Sequence, residues 1–147
     1  MRDQQAQTST IHVKVTVQKD GDKYIATYDP KVIQVYESDT IINFKLDEPT
    51  PDDIVVKSVS IIPKDQEQLS TPSISKNGRQ VVLSDVNSLA QTLSLSFEYK
   101  SKHDHALQLA KDGEMEVVYP QVENNPPGMV AMAMLAVDGG PENNPPG

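Results

Sequence analysis

Apolar and polar residues alternate in several short runs of this chain, and this alternation limits the possible folds more than any other feature. Residues 11–17 (IHVKVTV) and 92–100 (TLSLSFEYK) both alternate in this way. A period of two sends alternate side chains to opposite faces of a β-strand. The alternation therefore predicts strands with one buried face, and residues 92–100 read as an interior strand.

Turn-forming residues separate these runs. In residues 19–22 (KDGD) a glycine that can adopt a positive φ predicts a β-hairpin, and residues 76–79 (KNGR) predict a tight turn before a short strand. Two β-branched runs, residues 32–36 and 40–46, are separated only by Glu37-Ser38-Asp39. We expect these two runs to form a further hairpin.

Further strands are predicted at residues 23–28, 54–62, 80–83 and 114–119, whereas residues 84–91 fit either a loop or one helical turn. About seven to nine short strands without a long helical pattern favour a sandwich of two antiparallel sheets, immunoglobulin-like or cupredoxin-like. A barrel is the alternative. The predicted domain is 8–120.

The remaining residues, 121–147, have a different composition. The hexapeptide ENNPPG occurs at residues 123–128 and again at 142–147, on either side of the apolar run 129–137 (MVAMAMLAV). Proline and glycine favour extended or turn conformations, and the apolar run is too short to span a bilayer. We expect a tail that is flexible or that docks on the sandwich, on another subunit or on a protein partner.

Composition excludes several classes of function. The chain has 147 residues, enough for one domain, and its net charge of -8 makes it an acidic protein with no attraction to nucleic acid. No cysteine is present, which rules out disulfides and thiolate chemistry. No run is long enough for a membrane span, and no signal peptide is recognisable, so the expected location is cytoplasmic by default.

Two groups of residues could hold a metal ion. In His103-Asp104-His105, two imidazoles two residues apart could share one strand face, with His12 or an acid as third ligand. The acidic loop 47–53 (DEPTPDD) could offer carboxylates to calcium, although its spacing is not that of an EF-hand. Polar loop residues and solvation explain both patterns more simply. We therefore predict no metal and no cofactor.

Residues 30–44 contain, in order, a proline, a β-branched strand, a turn with Asp39-Thr40 and a second strand. This order is similar to part of the cupredoxin-like sandwiches. The resemblance supports the predicted fold, but a blue-copper centre needs a thiolate ligand, which this chain lacks.

A second resemblance covers about residues 11–120. It depends on the order of four stretches: Tyr28-Asp29-Pro30, Tyr36-Glu37-Ser38-Asp39, Glu48-Pro49 and Phe97-Glu98-Tyr99-Lys100. In these stretches the chain resembles the DP-EP family, small bacterial all-β proteins named for their Asp-Pro and Glu-Pro dipeptides. Some relatives are regarded as aspartic-type peptidases that cut their own chain near the C-terminus at an Asp-Pro bond.

The resemblance implies a catalytic site in this chain. Asp39 would be the acid-base carboxylate, Lys100 its charge partner, and Tyr28 a hydrogen-bond donor to the developing oxyanion. A lysine beside a carboxylate holds it ionised as a base, and a phenol can stabilise charge that forms in the transition state.

The bond to be cut differs from the family pattern. The only Asp-Pro, Asp29-Pro30, lies inside a predicted strand unit, where cleavage would destroy the sheet. The candidate bonds are Tyr119-Pro120, Asn125-Pro126 and Asn144-Pro145. At the last two, the asparagine amide could cyclise onto its own carbonyl and expel proline. The competing hypothesis is a noncatalytic binding or assembly module whose apolar tail docks on a partner or a second copy.

Overall fold

The computed structural model describes residues 9–102 and 119–128, and these residues form two packed β-sheets. The strands within these two ranges are β1 (Thr10–Asp20), β2 (Lys23–Asp29), β3 (Val32–Val35), β4 (Thr40–Leu46), β5 (Ile54–Ile62), β6 (Ser73–Ile74), β7 (Gln80–Asp85), β8 (Thr92–Ser101) and β9 (Gln121–Asn124). One sheet has the order β2-β1-β4-β7-β6 and the other β3-β9-β8-β5. The predicted two-sheet sandwich is confirmed.

Strand direction differs from the prediction of antiparallel sheets. β1 pairs with β4 in parallel, and β3 pairs with β9 in parallel, whereas the other strand pairs are antiparallel. Each sheet is therefore mixed. Alternation determines which face of a strand is buried, but it does not determine which strand lies beside it.

The hairpin predicted at residues 19–22 and the turn predicted at residues 76–79 are both present. Gly21 (φ 65°) lies in the turn between β1 and β2, and Gly78 (φ 75°) lies in the turn between β6 and β7. At Gly78 a side chain would also collide with Val55, because a Cβ placed there would lie 2.6 Å from the Val55 Cβ.

The second predicted hairpin, at Glu37-Ser38-Asp39, is wrong. β3 belongs to one sheet and β4 to the other, so Glu37-Ser38-Asp39 carries the chain across the sandwich. The two runs have the composition of paired strands because each is half buried, with Ile33 in one sheet and Ile42 in the other. Burial against the opposite sheet, rather than pairing between the two runs, explains their pattern.

The sandwich extends beyond residue 120, where the tail was expected to begin. Gln121–Asn124 forms β9, which lies between β3 and β8. Pro120 directly precedes this strand, and a proline is tolerated there because the first residue of a strand need not donate to the ladder. Most of the strand predicted at residues 114–119 lies outside the described residues.

The inward faces of both sheets form a single apolar core. Val13, Val15 and Val17 of β1 are at most 2% exposed, as the alternation predicted. Four rings, which we call the aromatic cluster, lie in this core: Tyr28, Phe44, Phe97 and Tyr99. The centroid of the Phe97 ring lies 5.3, 5.0 and 6.0 Å from those of Tyr28, Phe44 and Tyr99, respectively.

The direction of β4 defines the two ends of the sandwich. At its start, Thr40 pairs with Asp85, and we call this the polar end. At its finish, Leu46 pairs with Val15, which also pairs with Tyr28, and we call this the aromatic end. None of the described residues forms a helix with the length and apolar character that a membrane crossing requires.

Candidate functional site

Four polar side chains are buried together at the polar end. Asp85 and Asn124 are the last residues of β7 and β9, Asn87 lies in the loop after β7, and Gln68 precedes β6. They are between 0% and 5% exposed, and we call them the polar cluster. A buried polar atom without a hydrogen-bond partner costs free energy, so any such atom in the polar cluster calls for an explanation.

One oxygen of Asp85 is well satisfied. Its Oδ1 accepts hydrogen bonds from the backbone N–H of Asn87 (2.9 Å) and from Asn124 Nδ2 (3.1 Å). Asn124 Nδ2 also donates to Gln68 Oε1 (3.2 Å). These contacts connect the ends of β7 and β9, which belong to opposite sheets.

Three other oxygens in the polar cluster are buried without a hydrogen-bond partner: Asp85 Oδ2, Asn87 Oδ1 and Asn124 Oδ1. Turning either asparagine amide round would not help, because each Nδ2 already faces acceptors. A proton on Asp85 Oδ2 would convert one of the three acceptors into a donor. Burial raises the pKa of the Asp85 carboxyl, although the hydrogen bonds from Asn124 and Asn87 lower it.

The polar cluster touches one of the candidate cleavage bonds. Asn87, held with φ at 54°, donates from its Nδ2 to the carbonyl oxygen of Asn125 at 3.2 Å. That carbonyl belongs to the Asn125-Pro126 bond. The same Nδ2 lies 3.4 Å from the carbonyl oxygen of Val35 and 3.2 Å from that of Glu37. The loop after β7 therefore places an amide donor directly against the Asn125 carbonyl.

The side chain of Asn125 is held in its own set of contacts. Its Nδ2 donates to Gln34 Oε1 (2.9 Å) and to the carbonyl oxygens of Glu123 (3.1 Å) and Val35 (3.3 Å). Pro126 is buried. At the Asn125-Pro126 bond, the asparagine is therefore half-buried and the proline is buried.

Tyr119-Pro120 has a different environment. Tyr119 is 45% exposed, and the Pro120 carbonyl accepts a hydrogen bond from the Leu95 N–H (3.0 Å) as the chain enters β9. Cleavage there would detach the N-terminal end of a strand that lies between two others. Asn144-Pro145 lies outside the described residues.

The three residues of the catalytic site implied by resemblance lie in separate places. Asp39 is exposed at the polar end, where its N–H faces the Val86 carbonyl (3.4 Å). Lys100 pairs with Val55 near the aromatic end. About seven residues of strand separate the two ends, or roughly 20 Å at about 3.3 Å per residue. The described fold therefore does not bring Asp39 and Lys100 together, and their joint catalytic role stays a prediction.

Tyr28 belongs to the core. It is 5% exposed, and its hydroxyl lies 2.7 Å from that of Tyr99. Burial raises the pKa of both phenols well above the ordinary tyrosine value, so both stay neutral. Lys100 follows Tyr99 in β8 and therefore lies on the opposite face of the strand.

Neither candidate metal site gains support from the described residues. Within 9–102 and 119–128, no three or more His, Asp or Glu side chains form a group that could hold a metal ion. In the loop 47–53, Thr50 is buried and accepts the Val17 N–H through its Oγ1 (2.9 Å), which anchors the loop to β1. His103-Asp104-His105 lies outside the described residues.

The residues of the polar cluster were not recognised in the sequence. Asp85 and Asn87 lie in the stretch that fitted either a loop or a helical turn, and Asn124 was assigned to the tail. A signal is nevertheless present in the sequence: two Asx residues, Asp85-x-Asn87, begin two positions after the strand predicted at residues 80–83. Such residues commonly bond nearby backbone at a strand end.

The two dipeptides noted in the sequence lie on either side of β1. Tyr28, which precedes Asp29-Pro30, pairs with Val15, and the Asp47 N–H, which precedes Glu48-Pro49, donates to the Val15 carbonyl (2.9 Å). The model of the DP-EP family matches residues 8–126. The chain belongs to the DP-EP family. The matched region of this DP-EP protein contains both sheets and the Asn125-Pro126 bond. A comparison with curated proteins found no match.

Proposed function

We propose that this DP-EP protein processes its own chain at the Asn125-Pro126 bond and releases residues 126–147. The contact between Asn87 Nδ2 and the Asn125 carbonyl oxygen, at 3.2 Å, carries this proposal. The buried Asp85 carboxyl supports it. This carboxyl accepts hydrogen bonds from Asn87, which donates to the Asn125 carbonyl, and from Asn124, which precedes Asn125 in the chain.

In the first step, Asn125 Nδ2 attacks the carbonyl carbon of its own residue. A C–N bond forms, and negative charge develops on the carbonyl oxygen, where Asn87 Nδ2 already donates. A donor aimed at a developing oxyanion stabilises the transition state more than the ground state. The attack requires Asn125 Nδ2 to leave its contacts with the Gln34 side chain and with the carbonyl oxygens of Glu123 and Val35.

In the second step, the bond from the Asn125 carbonyl carbon to the Pro126 nitrogen breaks. The proline nitrogen gains a proton and the attacking amide loses one. We assign both transfers to the Asp85 carboxyl, whose pKa burial raises; in its protonated form it gives a proton and then recovers one, so that it is unchanged overall. The products are a succinimide at residue 125, which water opens, and a fragment that begins with Pro126.

Mass spectrometry of the purified 16.2 kDa chain during incubation tests the proposal. We expect loss of the mass of residues 126–147. Asp85→Asn should abolish this loss, because the amide cannot supply an acidic proton, and Asn125→Ala should abolish it by removing the nucleophile. Asp52→Asn, an exposed change in the loop at the aromatic end, is the control and should leave the rate unchanged.

Two results would contradict the proposal. One is a wild-type chain that stays intact through prolonged incubation from mildly acidic to neutral pH. The other is cleavage at an unchanged rate in Asp85→Asn. Loss of cleavage in Asp39→Asn, with Asp85→Asn still active, would instead assign the acid to the residue implied by the family resemblance.

A noncatalytic binding module is the second candidate, and the position of β5 favours it. Among the described strands, β5 (Ile54–Ile62) pairs only with β8 and lies at the edge of its sheet. Arg79 and the Gly78 carbonyl already bond backbone groups of Ile54 and Val56, so the part open to a partner begins after Val56. An edge strand can accept a further strand from a partner. A permanently intact chain that binds a partner peptide, and loses that binding when a proline is introduced into β5, would support this function.

A further inference from the structure

Three large apolar side chains are exposed around the polar cluster. Tyr36 is 53% exposed, Val86 41% and Leu89 61%, and we call them the apolar patch. They are half of the large hydrophobic side chains that are exposed in the described part of the chain. Apolar side chains exposed close together often mark an interaction surface.

The three residues come from two loops that Asn87 ties together. Val86 directly precedes Asn87, and Leu89 follows it by two positions. Tyr36 lies between Val35 and Glu37, whose carbonyl oxygens both face Asn87 Nδ2. The Asp39 N–H also faces the Val86 carbonyl (3.4 Å). The buried asparagine therefore holds the backbones that display the apolar patch.

The second described range, 119–128, ends beside the apolar patch. Asn125 contacts Asn87 through its carbonyl oxygen, and the exposed residues Pro127 and Gly128 follow within three positions. The next residues in the sequence are the apolar run 129–137 (MVAMAMLAV), which contains no charged residue. An apolar segment therefore begins only a few residues from the apolar patch.

We infer that the apolar run 129–137 docks on the patch of Tyr36, Val86 and Leu89 in the same molecule. A connection of three residues keeps the run at a high effective concentration near the patch, in the millimolar range or above for short linkers. The three methionines of the run, Met129, Met132 and Met134, adapt well to an irregular surface. Docking would cover both the run and the patch, and it does not depend on cleavage of the chain.

A spin label beside the patch tests this inference, because the chain has no cysteine of its own. Ala90→Cys places the label next to Leu89, and Asp52→Cys places a control label at the opposite end; both positions are exposed. The methyl groups of methionine are labelled with carbon-13 and observed by NMR. The intact mass of each sample is checked, and the measurement is repeated in Asp85→Asn, so that cleavage cannot remove the reporter.

We expect the label at position 90 to broaden the methyl signals of Met129, Met132 and Met134, and the label at position 52 to leave them sharp. Leu89→Ser should reduce the broadening, and unchanged broadening in Leu89→Ser on an intact chain would overturn the inference, because the short connection alone would then explain it. Sharp signals with the label at position 90 on an intact chain would overturn the inference. Broadening that also occurs when the spin label and the carbon-13 are on separate molecules would overturn it as well, because the occupant would be a second copy.

Discussion

The two ends of the sandwich bury their polar atoms in different ways. At the aromatic end, the hydroxyls of Tyr28 and Tyr99 satisfy each other at 2.7 Å. At the polar end, Asp85, Asn87 and Asn124 each leave one buried oxygen without a partner. A satisfied pair of phenols contributes to a stable core, whereas unsatisfied acceptors around a carboxyl favour a neutral acid. We therefore propose that the aromatic end serves stability and that the polar end serves the proposed cleavage.

The largest effect is expected in the aromatic cluster. Phe97 is 3% exposed and contacts three other rings. Phe97→Ala should lower the free energy of unfolding by about 3–5 kcal/mol, because it removes buried area and leaves a cavity. Urea unfolding measures the loss. Tyr119→Ala, an exposed aromatic, is the control, and a loss of similar size in the two variants would mean that the aromatic cluster does not anchor the fold.

The next largest effect is expected at Gly78. Gly78→Ala and Gly21→Ala both place a side chain at positive φ, but only the Cβ at position 78 meets Val55, at 2.6 Å. We expect Gly78→Ala to cost about 1–3 kcal/mol more than Gly21→Ala, because the neighbouring strand must shift. Equal losses of unfolding free energy in the two variants would show that β5 can shift at the aromatic end without a measurable cost.

A smaller, pH-dependent effect is expected at the polar end. A carboxyl whose pKa is raised by folding contributes stability that is full below the ordinary Asp pKa and is lost as pH rises through the folded value, because the native state binds the extra proton. Asp85→Asn should remove this decline and keep a neutral amide in place. Urea unfolding between about pH 4 and pH 8 compares the two chains. A decline of equal steepness in Asp85→Asn would show that Asp85 is not its source.

The smallest effect is expected for the tyrosine pair. Tyr28→Phe leaves the buried Tyr99 hydroxyl without its partner and should cost about 1 kcal/mol. The double change Tyr28→Phe with Tyr99→Phe should cost less than the sum of the two single changes, because no orphaned hydroxyl remains. Additive losses in urea unfolding would indicate that the two hydroxyls do not depend on each other.

The sequence predicted the strands better than their arrangement. Alternation in residues 11–17 and 92–100 correctly identified the buried faces of β1 and β8, since burial is a local property of a half-buried strand. The parallel pairing of β1 with β4 and the crossing from β3 to β4 were missed, because the choice of partner depends on the packing of the whole sandwich. Pro120 was taken as the end of the domain, although a proline can also stand just before a strand.

The candidate site was harder to predict than the fold. Asn124 is far from Asp85 and Asn87 in the sequence, and it meets them only because β7 and β9 end at the same end of the sandwich. Asn125-Pro126 was among the bonds proposed from the sequence, on the basis of asparagine chemistry alone. Its contact with Asn87 depends on the loop after β7, whose conformation the sequence left open.

The neutral state of the Asp85 carboxyl is the claim on which the functional contrast between the two ends depends. Carbon-13 NMR of the side-chain carboxyl groups, followed as pH is raised, measures it directly, and the signal that disappears in Asp85→Asn identifies the residue. We expect that signal to stay in its protonated position above the ordinary Asp pKa and to move only at higher pH. An Asp85 signal that titrates at or below the ordinary Asp value would contradict the account, because the polar end would then hold a carboxylate without the proton that the proposed cleavage requires.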